Sequence, residues 1–249
     1  MADQLARNAR VLVVVPAFQE ESSIAFVLGE VASAVPEYDV LVVDDGSRDR
    51  TAQEARSCGV AVATVPFNMG VGAAMRVGFL YAHRNGYDTV VQVDGDGQHD
   101  PVGVRGLVAA LENADVVVGS RFTGEDGAGT PVLRRVVMWF LALSVSTLCR
   151  SRLTDVTSGF RAAGPRAVAL LARHYPAEYL GDTVESLVIS HRAGLAIKEV
   201  PVRMRQRVGG VPSQSLLRSS LYLGRSLLVL LLAAIRSHPE VRAAAGEQS

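Results

Sequence analysis

Lysine is nearly missing from this sequence: of its 25 basic residues only Lys198 is a lysine, and the rest are arginines. Aromatic residues are scarce as well, at 6% against 49% hydrophobic residues, so the core must be aliphatic. The two cysteines, Cys58 and Cys149, stand far apart. That excludes a disulfide framework or a cysteine-based metal site, and free thiols fit a reducing cytoplasm. No charged-then-apolar leader is expected, because "MADQLARNAR" is polar and "VLVVV" is too short for a signal core. No uninterrupted apolar run reaches the roughly 20 residues of a membrane-spanning helix. There is no G-x-x-x-x-G-K-[ST] phosphate loop and no H-E-x-x-H. In "GVGAAM", Met75 stands where a dinucleotide fingerprint needs its third glycine.

What is present is charge, unevenly placed. The 249 residues carry no net charge, yet residues 1–126 hold 18 acidic and 9 basic side chains, and residues 127–249 hold 7 and 16. An acidic first half and a basic second half suit a cation on one side of a site and an anion on the other. Arginine forks suit phosphate in particular.

The chain alternates apolar runs with helical segments. "VLVVV", "DVLVVDDGS", "VAVATV", "DTVVQV" and "ADVVVGS" read as five strands, apolar throughout. Between them, Ser22 or Ser23 is expected to cap one helix and "TAQE" (Thr51–Glu54) to form a capping box on the next. Gly70 and Gly72 lead into a third helix closed by Asn85-Gly86, and Asp100-Pro101 reads as the cap and first position of a fourth. Such alternation predicts an α/β fold, a mostly parallel sheet covered on both faces. Beyond Gly119, "RRVVMWFLALSVSTLCR" reads as a helix, "LTDVTSGFRA" as an irregular polar segment, residues 165–174 and 181–193 as helices, and "AIKEVPVRMR" as a strand. Ligands of such sheets bind outside the carboxyl ends of the strands. "DDGS", "DGDGQ" and "GSRF" all fall there.

The densest chemistry is "VVQVDGDGQHDP", where Asp94, Asp96 and Asp100 crowd the end of a buried strand. Carboxylates this close need a cation among them. A calcium loop of the EF-hand kind is excluded, since His99 replaces its glycine and Arg105 its final glutamate. Asp96 and Gln98 suit Mg²⁺ or Mn²⁺, which keep few protein ligands and complete their shell from water and substrate phosphates. His99 fits a supporting hydrogen bond better than ligation. Asp44 has two readings, a hydrogen bond to a nucleobase or, with Asp45, plain turn chemistry.

In combination, "VVVPAFQEE", "VVDDGSRDRT", "NMGVGAAMRVGF", "VVQVDGDGQHDP", "VVVGSRF", "DVTSGFRA" and "VPVRMRQRVGGVPS" resemble the family 2 glycosyltransferases of the GT-A fold. Within them the chain is most similar to the dolichol- or polyprenyl-phosphate mannose and glucose synthases. The resemblance spans about Val11 to Ser213. It implies that Pro16, Ala17 and Glu20 line the nucleotide pocket, that Asp44 meets the base and Asp94 the ribose or sugar. It implies Asp96 and Gln98 as metal ligands, Arg121 and Arg161 facing phosphates, Ser158 beside the sugar diphosphate, and Glu185 near the acceptor. Two departures stand out. Gln19 replaces the family's common Asn, and "GGVPS" replaces an ending in Ser-Lys, so Arg205 or Arg207 is expected to take over from the missing lysine.

The resemblance implies inverting, metal-dependent transfer of a sugar from a nucleoside diphosphate sugar to a polyprenyl phosphate. If the acceptor were a hydroxyl, Asp182 or Glu185 would be the expected base. A non-catalytic nucleotide-sugar binding protein is the reading outside enzymes. The expected organisation is a transferase domain over 1–213 and an apolar or amphipathic helix and tail over 214–249. That tail, "SLLRSSLYLGRSLLVLLLAAIR", reads equally as an interfacial helix with arginines reaching for lipid headgroups or as a packing or homodimer contact. The expected setting is cytoplasmic, peripheral at the inner face of the membrane, with no nucleic-acid partner.

Overall fold

The computed structural model describes residues 9–121, 132–149, 151–176 and 181–208. Seven strands form one sheet: β1 (Val11–Ala17), β2 (Asp39–Asp44), β3 (Ala61–Thr64), β4 (Thr89–Gln92), β5 (Val116–Ser120), β6 (Arg161–Ala163) and β7 (Ile197–Pro201). Their order is β3-β2-β1-β4-β6-β5-β7. β1 pairs in parallel with β2 and β4, β2 with β3, and β5 with β7. The short β6 runs antiparallel to both β4 and β5. The sheet is therefore mostly parallel, as expected, but the expected irregular segment hides this one reversed strand.

The helices are α1 (Ile24–Ala34), α2 (Thr51–Ser57), α3 (Val71–Arg84), α4 (Val104–Ala110), α5 (Val132–Cys149), α6 (Pro165–His174) and α7 (Asp182–Arg192). The central strands β1, β2, β4 and β5 are largely apolar because alternate residues feed two different cores. On one face Leu12, Val14, Leu41 and Val43 meet Met75, Phe79, Leu171 and Leu187. On the other, Val13, Val15, Val42 and Val91 meet Ile24, Val27, Val31, Leu107 and Phe160.

Two expected caps take other forms. Ser23 precedes α1, but its Oγ donates to Glu20 Oε2 at 2.6 Å and caps no helical N–H. Thr51 is the first residue of α2 rather than its cap, and its Oγ1 accepts the Glu20 N–H at 2.8 Å. Both hydroxyls serve Glu20 instead of the helix. The Asp100 cap is as expected: its Oδ1 accepts from Val102 N–H at 3.1 Å, with Pro101 opening a 3₁₀ turn. The 214–249 segment lies outside the described residues.

Candidate active site

β1, β2, β4 and β5 deliver their carboxyl ends to one edge of the sheet, where four loops meet. The β1 exit packs against the acidic turn after β4. A Cβ built on Gly95 would lie 3.3 Å from the Pro16 carbonyl oxygen, 3.5 Å from Ala17 Cβ and 3.6 Å from Glu20 Cγ. Gln19 stands beside them in the left-handed conformation, with φ at 55°, and its N–H donates to Ser47 Oγ at 2.9 Å. Among non-glycine residues, asparagine, aspartate and histidine adopt that conformation most readily.

After β2, Asp44 is buried, and its Oδ1 accepts the Ser47 N–H at 3.1 Å. Asp45 accepts from Met69 N–H at 2.9 Å and Gly70 N–H at 2.7 Å, tying this loop to the start of α3. Both carboxylates perform the turn chemistry. Phe18 and Phe67 line an open cleft beside Gly46 to Arg48 and are exposed there. The sequence offers no signal for the pair, since Phe18 and Phe67 lie far from Gly46 along the chain and meet it only in the fold.

The turn after β4 is held from several sides. Asp96 is buried, and its Oδ1 accepts the Gln98 N–H at 2.9 Å. Asp94 N–H donates to His99 Nδ1 at 3.0 Å. With Nδ1 accepting, the ring hydrogen sits on Nε2, which is 3.5 Å from Asp94 Oδ2. The imidazole stacks on Phe160, centroids 4.8 Å apart. His99 thus has the supporting place expected of it.

Residues 204–208 run back across this turn. His99 and Met204 form an antiparallel bridge, Arg205 N–H donates to the Gln98 carbonyl at 2.8 Å, and Val208 N–H donates to the Asp96 carbonyl at 3.1 Å. This crossing brings Arg207 onto the acids, its Nη2 3.1 Å from Asp96 Oδ2 and 3.4 Å from Glu20 Oε1. Of the three crowded carboxylates, Asp96 meets the Arg207 guanidinium and Asp100 that of Arg205. Burial pushes the Glu20 carboxyl above its ordinary value; Ser23 and Arg207 oppose that rise, and Asp96 and Asp94 add to it. Arg205 is occupied elsewhere, paired with Glu30 and with Asp100 at 2.9 Å. Of the two candidates to replace the missing lysine, Arg205 reaches Asp100, and only Arg207 reaches Asp96.

Among the described residues, no three acidic, histidine or cysteine side chains gather into a ready metal cage. Asp96, with the exposed Gln98 and nearby Asp94, offers few oxygens. That donor set fits a hard divalent ion which takes most of its shell from a diphosphate and water.

The second half of the site is built on Asp155. Arg121 grips it in a fork, Nε to Oδ2 at 2.6 Å and Nη2 to Oδ1 at 2.8 Å, with about a third of the Arg121 side chain still exposed. Glu199 of β7 fixes the same segment, accepting N–H bonds from Thr154 and Asp155, both at 2.7 Å.

Arg161 corrects the expectation that it faces phosphate. It is buried, and its Nε donates to the Ser158 carbonyl at 2.6 Å, its Nη1 to the Thr183 carbonyl at 2.6 Å and Ser186 Oγ at 3.2 Å, and its Nη2 to the Val156 carbonyl at 2.7 Å. It staples β6 to α7. Ser158 is buried in the same staple, its Oγ accepting the Phe160 N–H at 3.3 Å. Asp182 is buried as well, accepting from Tyr175 Oη at 3.1 Å, and burial raises its carboxyl above the ordinary value. A base needs access to the acceptor, which Asp182 lacks. Glu185 is half-buried in the first turn of α7.

A model of glycosyl transferase family 2 matches residues 12–168. The chain belongs to this family. The family 2 chain is 35% identical to an undecaprenyl-phosphate mannosyltransferase of Micrococcus luteus, over 83% of its own length and 88% of the relative's. It is 31% identical to a polyprenol monophosphomannose synthase of Mycolicibacterium smegmatis, over 83% and 81%. Its fold matches Mycobacterium tuberculosis glucosyl-3-phosphoglycerate synthase, crystallised with Mn²⁺, uridine diphosphate and glucosyl-3-phosphoglycerate. The TM-score is 0.72 at 22% identity, covering 96% of this chain and 84% of that one. The family 2 transferase therefore has the GT-A fold and is a glycosyltransferase.

Proposed function

We propose that this glycosyltransferase moves a sugar from a nucleoside diphosphate sugar to a polyprenyl phosphate, with inversion and with Mg²⁺ or Mn²⁺ as cofactor. The names of the two relatives support the lipid phosphate acceptor, and the Mn²⁺ and uridine diphosphate in the fold neighbour support the metal and the donor class. The observation that carries the reading is the buried carboxylate of Asp96 in the turn after β4, already drawing a cationic group onto itself.

Pro16, Ala17 and Glu20 line the nucleotide side, with Asp44 toward the base and Phe18 and Phe67 against its faces. Asp94 receives a hydroxyl of the ribose or sugar, and Ser158 lies behind the sugar diphosphate. Asp96 and Gln98 hold the ion, which when bound supplies charge neutralisation for the departing diphosphate. Arg207 turns its guanidinium to the same phosphates. Arg121 presents its exposed edge to the acceptor, with Glu185 nearby. The acceptor phosphate has a second pKa of about 6, so near neutral pH it is already a nucleophile and needs no base. One of its oxygens bonds to the anomeric carbon as the bond to the diphosphate breaks, and the electron pair leaves with the nucleotide. Attack from the opposite face inverts the centre. The acceptor places the enzyme at a membrane surface, peripheral and on the cytoplasmic side, with the 214–249 segment as its contact. Among the described residues no helix is long and apolar enough to cross a membrane.

The decisive experiment follows label from a nucleotide sugar into an organic-extractable lipid phosphate, with Mn²⁺ and then with chelator. Lipid-borne label that vanishes with chelator, or in Asp96→Ala, is expected. Label found only in a water-soluble glycoside would replace this reading with a hydroxyl acceptor. Full transfer in chelator would remove the metal.

A further inference from the structure

Gln92 is an amide where the core has no use for one. It closes β4, is 4% exposed, and follows Val90 and Val91 in a strand buried on both faces. Burying an amide costs free energy that a leucine there would not. Its Nε2 donates to Asp94 Oδ1 at 2.8 Å. Asp94 keeps about 35% of its side chain exposed, so the carboxylate as a whole is not sealed from water. The bond therefore does not rescue a stranded carboxylate. It selects one direction for it.

The surroundings are built around the pair. A Cβ on Gly159 would lie 2.8 Å from Gln92 Nε2 and 3.2 Å and 3.3 Å from the two Asp94 oxygens. Only glycine leaves that space. Behind Gln92, the β4–β6 register sets it opposite Arg161, whose staple fixes the neighbouring strand β6. His99 Nε2 lies 3.5 Å from the other Asp94 oxygen.

We infer that Gln92 is a positioning residue, holding the Asp94 carboxylate in the orientation that receives a hydroxyl of the donor. The inference rests on the reading of Asp94 as a donor contact.

The test is a double-mutant cycle on donor binding, titrating UDP-glucose and GDP-mannose with Mn²⁺ present, joined to crystal structures of the variants. Gln92→Leu keeps the volume and removes the amide. It should weaken donor binding about tenfold, the scale of one hydrogen bond to a charged group, and leave the melting temperature unchanged or higher. Gly159→Ala, which pushes the amide away from outside, should weaken binding in the same direction. In an Asp94→Asn background, Gln92→Leu should add less than about twofold, because residues acting through one another are not additive. The Gln92→Leu crystal should show Asp94 turned from Gly159. Additive losses, or an Asp94 that keeps its orientation without the amide, would reduce Gln92 to a core residue. Failure of both nucleotide sugars to bind the unaltered protein would overturn the proposed donor instead, and the Asp94 orientation would still decide for or against the clamp.

Discussion

Arg207 lays its guanidinium on Asp96, Nη2 to Oδ2 at 3.1 Å, although 111 residues separate them in the chain. On the proposed reading, a metal ion and this guanidinium would compete for one carboxylate. Arg207→Ala should therefore raise Mn²⁺ affinity in the absence of nucleotide by a few-fold, since a partly exposed pair contributes about 1 kcal/mol or less. Turnover should fall about tenfold or more, because the same guanidinium then fails to meet the diphosphate. Calorimetric titration with Mn²⁺ and initial rates check both halves. Unchanged Mn²⁺ affinity would mean that the two cations do not share Asp96.

Arg161 is a structural guanidinium, so its loss should appear in stability before activity. Arg161→Met strands three carbonyls and leaves buried Asp182 without its neighbouring cation. A loss of about 3–5 kcal/mol in urea unfolding is expected, the usual scale when one partner of a buried charge cluster is removed. Arg161→Lys should recover only part of it, because an ammonium cannot reach in three directions as a fork does.

Asp182 gives the fold a pH dependence of defined sign. Its carboxyl is raised above the ordinary 3.8, chiefly by burial, with Arg161 and Tyr175 opposing. The folded state therefore holds the proton after the unfolded chain has released it. Stability from this group is complete below about pH 4 and is lost as pH rises through the folded value, at a slope of up to about 1.4 kcal/mol per pH unit. Asp182→Asn should remove that slope. Urea unfolding between pH 4 and 7 should show the variant gaining on the parent as pH rises; parallel curves would contradict the shift.

Gly97 and Gly86 form a matched pair. Both have positive φ, 78° and 70°. A Cβ on Gly97 would lie 2.8 Å from Val208 Cγ2, whereas one on Gly86 meets nothing within 4 Å. Each alanine variant should lose about 1–2 kcal/mol from backbone strain. Only Gly97→Ala should also weaken donor binding, by lifting Val208 and its neighbour Arg207 from the turn. Equal donor affinity in the two variants would uncouple the crossing segment from the site.

Much of the sheet was legible because its strands are β-branched runs that end in turn residues, and such runs announce themselves locally. β6 was not, because "RAA" carries no periodicity; it is a strand only by virtue of the two neighbours that clasp it. The acidic turn was legible as a demand for a cation, but not which cation answers it, since the Asp96–Arg207 contact depends on how the chain folds back. Arg161 was misread for a related reason. An arginine in a polar stretch looks the same whether it ends in a cleft or beneath a helix, and only burial tells the two apart. Thr51 and Ser23 fit helix-capping patterns, yet a nearby carboxylate residue took their hydroxyls first.

The reversed β6 also bears on how the chain matures during synthesis. The block β3-β2-β1-β4 can assemble once residue 92 has left the ribosome, but its β4 border pairs with nothing until β6 emerges some seventy residues later. β5 precedes β6 in sequence and must wait for it as well. For that interval the nascent protein carries an open hydrogen-bonding border, the kind that recruits chaperones or other chains, and the arrival of three short residues closes it.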